Sequence, residues 1–212
     1  MVKRRYQRRR QQQRLIQYFW ISGLLTGSLI ISLWGILAFV HTSSSSTPDT
    51  GQRVSPLLPG MLAPDLNLPT VRGGTFHLSA QQDHSTVLTF VNTQPDTLNT
   101  PSRSQVVSLL SMQQQYGSKG TETVLIDSSS LIGQQSPTQE SLLNVSYDWN
   151  LGVIPLLVDG SSTTAANRYS VHELPTTFLI NARGYIIQRW DGQVLASQLG
   201  ASLQHLVETS PS

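Results

Sequence analysis

The sequence predicts an α/β domain, with a mixed central sheet and helices on both faces, preceded by one transmembrane helix. Three observations carry this. Strand-like and helix-like segments alternate from Thr75 to Glu208, the pattern of a sheet covered by crossover helices. The last two strand signals flank the short turn Ala182-Arg183-Gly184, a hairpin that adds an antiparallel edge to a mostly parallel sheet. Ahead of all this, Leu15–Val40 is a run of 26 residues without a charge.

The chain's net charge of +2 hides an asymmetry. Seven of the 14 basic residues precede Leu15, and all 12 acidic residues lie from Asp49 onward. The basic charge belongs to the tail, and the globular part is mildly acidic. A helix over residues 15–40 spans ~39 Å, more than the ~30 Å hydrocarbon core of a bilayer. Tyr18, Phe19 and Trp20 stand beside the basic flank, where interfacial aromatic anchors are placed. The positive-inside rule then puts residues 1–14 in the cytoplasm and the domain outside a cell membrane crossed once.

A basic run alone also suits nucleic acid, but the apolar segment behind it favours the lipid reading. A cleaved signal peptide is the rival. Its apolar region runs ~7–15 residues and ends at a small-x-small site, whereas this one is longer and ends Ala38-Phe39-Val40. Gly23 and Gly27 match GxxxG, a weak helix-dimer signal.

Residues 41–59 are rich in Ser, Thr and Pro and read as a flexible linker. The folded domain spans 60–208, with 209–212 a short tail. Within it, Thr75–Leu78 follows a Gly73-Gly74 turn as a short strand. Thr86–Asn92 is almost continuously apolar, as a strand covered on both faces should be. Val106, Leu109, Leu110 and Tyr116 mark one face of a helix over 101–116. Thr123–Asp127 is a second buried strand. Ser136-Pro137-Thr138-Gln139 reads as a capping box, Ser at the N-cap and Pro at the first helical position, opening a helix to about Trp149. Strand Ile154–Val158, a short helix over 162–169 and the hairpin strands Thr176–Asn181 and Tyr185–Trp190 follow. Leu195, Leu199, Leu203 and Leu206 form the apolar stripe of a last helix over 194–208.

Several stretches together resemble the thioredoxin-like superfamily. Gly60-Met-Leu-Ala-Pro64-Asp65-Leu-Asn-Leu68 is similar to its G-x-x-A-P-D-F-x-L opening. Gly73/Gly74 to Leu78-Ser79, Val87-Leu88-Thr89-Phe90 and Tyr169-Ser-Val171 through Pro175-Thr176-Thr177-Phe178-Leu179-Ile180 follow its pattern in order. Gly184 fits the glycine of its hairpin turn. The similarity is greatest to membrane-anchored TlpA/ResA-type proteins and to AhpC/TSA-type redoxins, over about residues 60–208.

The resemblance implies two cysteines at positions 95 and 98. Pro95 and Leu98 stand there, in the loop Gln94-Pro95-Asp96-Thr97-Leu98, and the chain contains no cysteine. A thiolate is the nucleophile of dithiol chemistry, so this chain alone has no means to perform it. No catalytic residue is carried over. The resemblance also implies a cis peptide bond before Pro175, in a loop Leu174-Pro175-Thr176 that faces the degenerate loop and offers the Leu174 backbone to an extended peptide.

Asp96, with Thr93, Thr97 and Asn99, forms a polar cluster that reads as turn chemistry. Tyr147 and Trp149 read as packing residues. The histidines His41, His77, His84, His172 and His205 have no metal-ligand spacing, so no metal or cofactor is expected. The expected function is a cysteine-free, extracytoplasmic module that binds a protein or partner redoxin. The alternatives are a thiol-disulfide oxidoreductase or antioxidant redoxin that borrows sulfurs from a partner, and a structural spacer.

Overall fold

The computed structural model describes residues 56–81, 83–94, 100–160 and 162–209. The readings made for residues 15–40, for Gly23 and Gly27, for most of the linker and for Pro95 to Leu98 lie outside these. Among the described residues no helix is long and apolar enough to cross a membrane.

Strand β3 (Ser85–Val91) is buried along its whole length. Its alternate side chains enter two cores, Val87 and Val91 one, Leu88 and Phe90 the other, as the two-residue period of a strand requires. Strand β4 (Thr121–Asp127) lies parallel to β3, and β5 (Leu156–Val158) parallel to β4. On the other side β6 (Thr176–Ile180) runs antiparallel to β3, and β7 (Ile186–Asp191) antiparallel to β6. The order is β5-β4-β3-β6-β7. The sheet is thus evenly mixed rather than mostly parallel. The connection from β5 to β6 carries only a five-residue helix, α3 (Thr164–Arg168), too short to return the chain along the sheet for a parallel entry. A separate antiparallel ribbon pairs β1 (Asn67–Pro69) with β2 (Thr75–His77). Strand β1 was not expected, since three residues ending in proline carry no readable period.

Helices α1 (Thr100–Tyr116), α2 (Gln139–Asp148) and α4 (Ala196–Thr209) place Leu109, Leu142, Leu199 and Leu203 in the first core. The second is filled by Ala165 and Ala166 of α3, Phe76 of the ribbon, and the rings of Phe90, Tyr169 and Phe178. These rings meet with centroids 5.1 to 6.0 Å apart in tilted and edge-on contacts. The Tyr169 hydroxyl donates to Pro64 O at 2.6 Å, and burial pushes its phenol pKa up.

Three local expectations are corrected. Tyr147, read as a packing residue, is 65% exposed, while Trp149 is buried as expected. The N-cap of α2 is Thr138, not Ser136: its backbone is extended and its Oγ1 accepts from Ser141 N at 3.1 Å, while Ser136 Oγ is bonded to Ser130 Oγ at 2.7 Å. Leu195 precedes α4 and is exposed. Val194, one residue earlier, takes the buried place because its N–H is held by Gln105 Oε1 at 2.8 Å.

Candidate functional site

The C-terminal ends of β3 and β4 and the entrance of β6 converge at one pole of the sheet. The last pair of the β3–β6 ladder, Phe90↔Thr176, sets the Leu174–Pro175 segment just beyond the end of β3. The Leu174–Pro175 bond is cis. Pro175 is buried and Leu174 half-buried, packed against the second core. Gly192 N donates to Pro175 O at 2.8 Å. Gly192 itself sits at φ +81, and a Cβ there would lie 3.3 Å from Glu173 Oε1, so the turn requires glycine. The Thr176 hydroxyl lies 2.7 Å from Glu173 O and 3.2 Å from Asp191 Oδ1, between which it shares its one proton. Thr176 therefore braces the loop. The backbone N–H and C=O of Leu174 have no hydrogen-bond partner among the described residues.

Where β3 and β4 end is a polar knot that the sequence reading did not assemble. Asp127, at the end of β4, is buried. Its Oδ1 accepts from Thr93 Oγ1 at 2.7 Å and from Ser129 Oγ at 2.6 Å. Ser129 Oγ in turn accepts from Thr93 N at 3.0 Å. Thr93, grouped by sequence with Asp96, Thr97 and Asn99, instead turns inward to this carboxylate. Beside it, Asn92 N donates to Ser102 Oγ at 2.9 Å, tying β3 to the first turn of α1. Gln94 N donates to Asn92 Oδ1 at 3.0 Å, and Gln94 Nε2 to Gln135 O at 2.6 Å. Three buried polar atoms here, Asn92 Nδ2, Gln105 Nε2 and Ser128 Oγ, have no partner among the described residues. The signal available in sequence was an acid closing the apolar run Thr-Val-Leu-Ile-Asp127, which a buried strand end accepts only with donors around it.

Burial pushes the Asp127 carboxyl above the usual carboxylate range, against the opposing hydrogen bonds from Ser129 and Thr93. Burial raises Glu122 in the same sense, with His84 acting against it. A carboxyl whose pKa is higher folded than unfolded makes the folded state bind the proton more tightly. Stability then falls as pH rises through the interval between the two values. Asp127→Asn keeps an acceptor oxygen and removes that titration. Urea midpoints across pH 3 to 8 should show the variant gaining on the parent as pH rises through this interval. Parallel profiles for the two would refute the assignment.

The arrangement offers hydrogen-bond donors, an unpaired backbone edge and a buried carboxyl, but no sulfur. Among the described residues no group of three or more His, Asp or Glu could hold a metal ion. His77, His84 and His172 are exposed on separate segments.

Comparison with known proteins agrees with this geometry. The sequence model described as the AhpC/TSA family matches residues 59–189. No curated protein matches. Among solved structures, the chain is similar to a protein described as thiol:disulfide interchange protein DsbE of Chlorobium tepidum, with TM-score 0.61 and 21% identity over 71% of this chain and 99% of that one. A thiol-disulfide oxidoreductase of Bacteroides fragilis gives TM-score 0.56 and 22% identity over 69% and 99%. The thioredoxin domain of a Bacteroides vulgatus thiol-disulfide oxidoreductase gives 0.59 and 13% over 71% and 99%. The fold is thioredoxin-like.

Proposed function

The chain belongs to the AhpC/TSA family, and from that membership, with no cysteine present, we propose a redox-silent accessory module that binds an extended polypeptide. The docking surface we assign to it is the Leu174 backbone before Pro175, used together with the segment Gln94 to Leu98. The helix over residues 15–40 holds it to a membrane, with the basic tail in the cytoplasm and the domain outside. The carrying observation is the combination of an unpaired backbone edge at Leu174 with the lack of any thiol.

Two measurements test this. Full-length protein should show no insulin reduction and no peroxide consumption above a protein-free blank. Turnover would instead favour the oxidoreductase reading, with sulfurs supplied by a partner. In-membrane crosslinking of the tagged full-length chain should capture an extracytoplasmic polypeptide that is lost in Leu174→Arg. Association unchanged by that substitution would move the role to the apolar anchor and make the domain a spacer.

A further inference from the structure

At the pole opposite Leu174, five exposed apolar side chains gather where the chain enters the domain. Leu58, Met61, Leu62, Tyr185 and Ile187 are each between 38% and 62% exposed. Backbone bonds bring the two segments together: Gly60 N donates to Ile186 O at 2.7 Å, Ile186 N to Met61 O at 2.8 Å, and Ala63 N to Gly184 O at 2.8 Å. Leu62 and Tyr185 are antiparallel partners, so their side chains share a face. The β6–β7 register slips between Leu179 and Ile180, pairing Ile180 with Ile186 and Leu179 with Gln188. Ile187 is left over and turned outward, as the extra residue of a bulge is.

A groove of about 280 Å³ opens beside the patch, lined by Leu62, Ala63 and Leu78 together with the polar side chains of Asp65, His84 and Arg183. The Arg183 side chain has no partner among the described residues, and only its backbone N is held, by Asn181 Oδ1 at 3.0 Å. An apolar surface with an aromatic ring and a free guanidinium at its border has the composition of a lipid-interface contact. The chain arriving at Leu57 and Leu58 comes from the uncharged segment 15–40 through residues 41–56. Those residues reach at most about 55 Å when fully extended. A domain tethered so closely meets the bilayer surface far more often than any dissolved partner.

We propose that this patch is a membrane-resting surface, in which Leu58, Leu62, Tyr185 and Ile187 dip into the interfacial layer and Arg183 meets lipid phosphate. This rests on the anchored reading above. It orients the domain: β6 runs from Pro175 at one pole to Ile180 at the other, so the docking edge faces away from the lipid.

The absence of cysteine supplies the test. Single variants Leu62→Cys, Tyr185→Cys and Ile132→Cys in the full-length chain each take one environment-sensitive fluorophore without background. Ile132 is exposed and follows β4 at the pole of the docking edge. In phosphatidylcholine vesicles carrying lipid-attached nitroxide, the labels at 62 and 185 should be quenched about twofold or more over the label at 132. Equal quenching at all three, or quenching of 62 and 185 by aqueous iodide as strong as at 132, overturns the proposal. So does a label at 62 or 185 that reports a second copy by self-quenching instead. Alkaline carbonate extraction of the same vesicles reads the anchor separately. A chain retained by the bilayer with unquenched labels sinks the patch alone, whereas a chain released by carbonate sinks the anchor.

Discussion

Phe178→Ala is expected to cost about 3–5 kcal/mol of folding stability, read as a fall in the urea midpoint at unchanged slope. Phe178 is fully buried in the middle of β6. Its ring lies 6.0 Å from Phe90 and 5.1 Å from Tyr169, edge-on to both. Removing it opens a void between three elements at once: β3, β6 and the turn after α3. The strands cannot close that void, because Leu88↔Phe178 and Phe178↔Arg189 are ladder positions fixed on both sides. In a domain of this size each kcal/mol moves the melting midpoint by about 2–4 °C, so a fall on the order of 10 °C or more is anticipated. A loss below about 1 kcal/mol would mean that the aromatic cluster is not the centre of the second core.

Arg189→Met should cost about 3 kcal/mol, a large effect for a residue on an edge strand. The Arg189 side chain is only 9% exposed. Its guanidinium lies 5.2 Å from the centre of the Phe178 ring. It donates to Ser170 O at 2.9 Å and to Tyr169 O at 3.3 Å, and pairs with Asp191 at 2.8 Å. Ser170 stands at φ 51, a conformation that costs a non-glycine residue on the order of 1 kcal/mol. Arg189 is one of the groups that hold it there. Methionine preserves much of the stem's packing and withdraws all of the charge-assisted bonds. Because Arg189 touches Phe178, the double variant should lose less than the sum of the two single losses. Strict additivity in that cycle would show the ring contact to be energetically empty.

Much of the fold was legible because the strongest signals are the least ambiguous. Strand β3 and the Thr123–Ile126 stretch of β4 are continuous β-branched and apolar runs, and the β6–β7 hairpin is announced by its turn. Gly184 at φ +82 and Asn181 Oδ1, which accepts from Arg183 N and Tyr185 N, build that turn locally. What escaped has no local signature. Strand β1 is defined by its partner β2. Thr138 and Ser136 are equivalent caps until Ser130 engages one of them. The partial burial of Arg189 depends on carbonyls twenty residues away, and nothing in Tyr-Ile-Ile-Gln-Arg-Trp suggests it. The site was legible as a loop of the wrong chemistry next to a proline, but its floor was not. Asp127 and Ser129 lie two residues apart, but Thr93 comes from a separate segment, and only the pairing of β3 with β4 brings it to them.

A single ion pair, Arg189 with Asp191, is found among the described residues, and one of its members is half exposed. Apart from the Arg189 contacts, the two described cores are held mainly by apolar packing and neutral hydrogen bonds, which dissolved ions screen little. A module built this way is expected to hold its described surface from dilute buffer to molar sodium chloride, read as an unfolding midpoint that shifts little between the two.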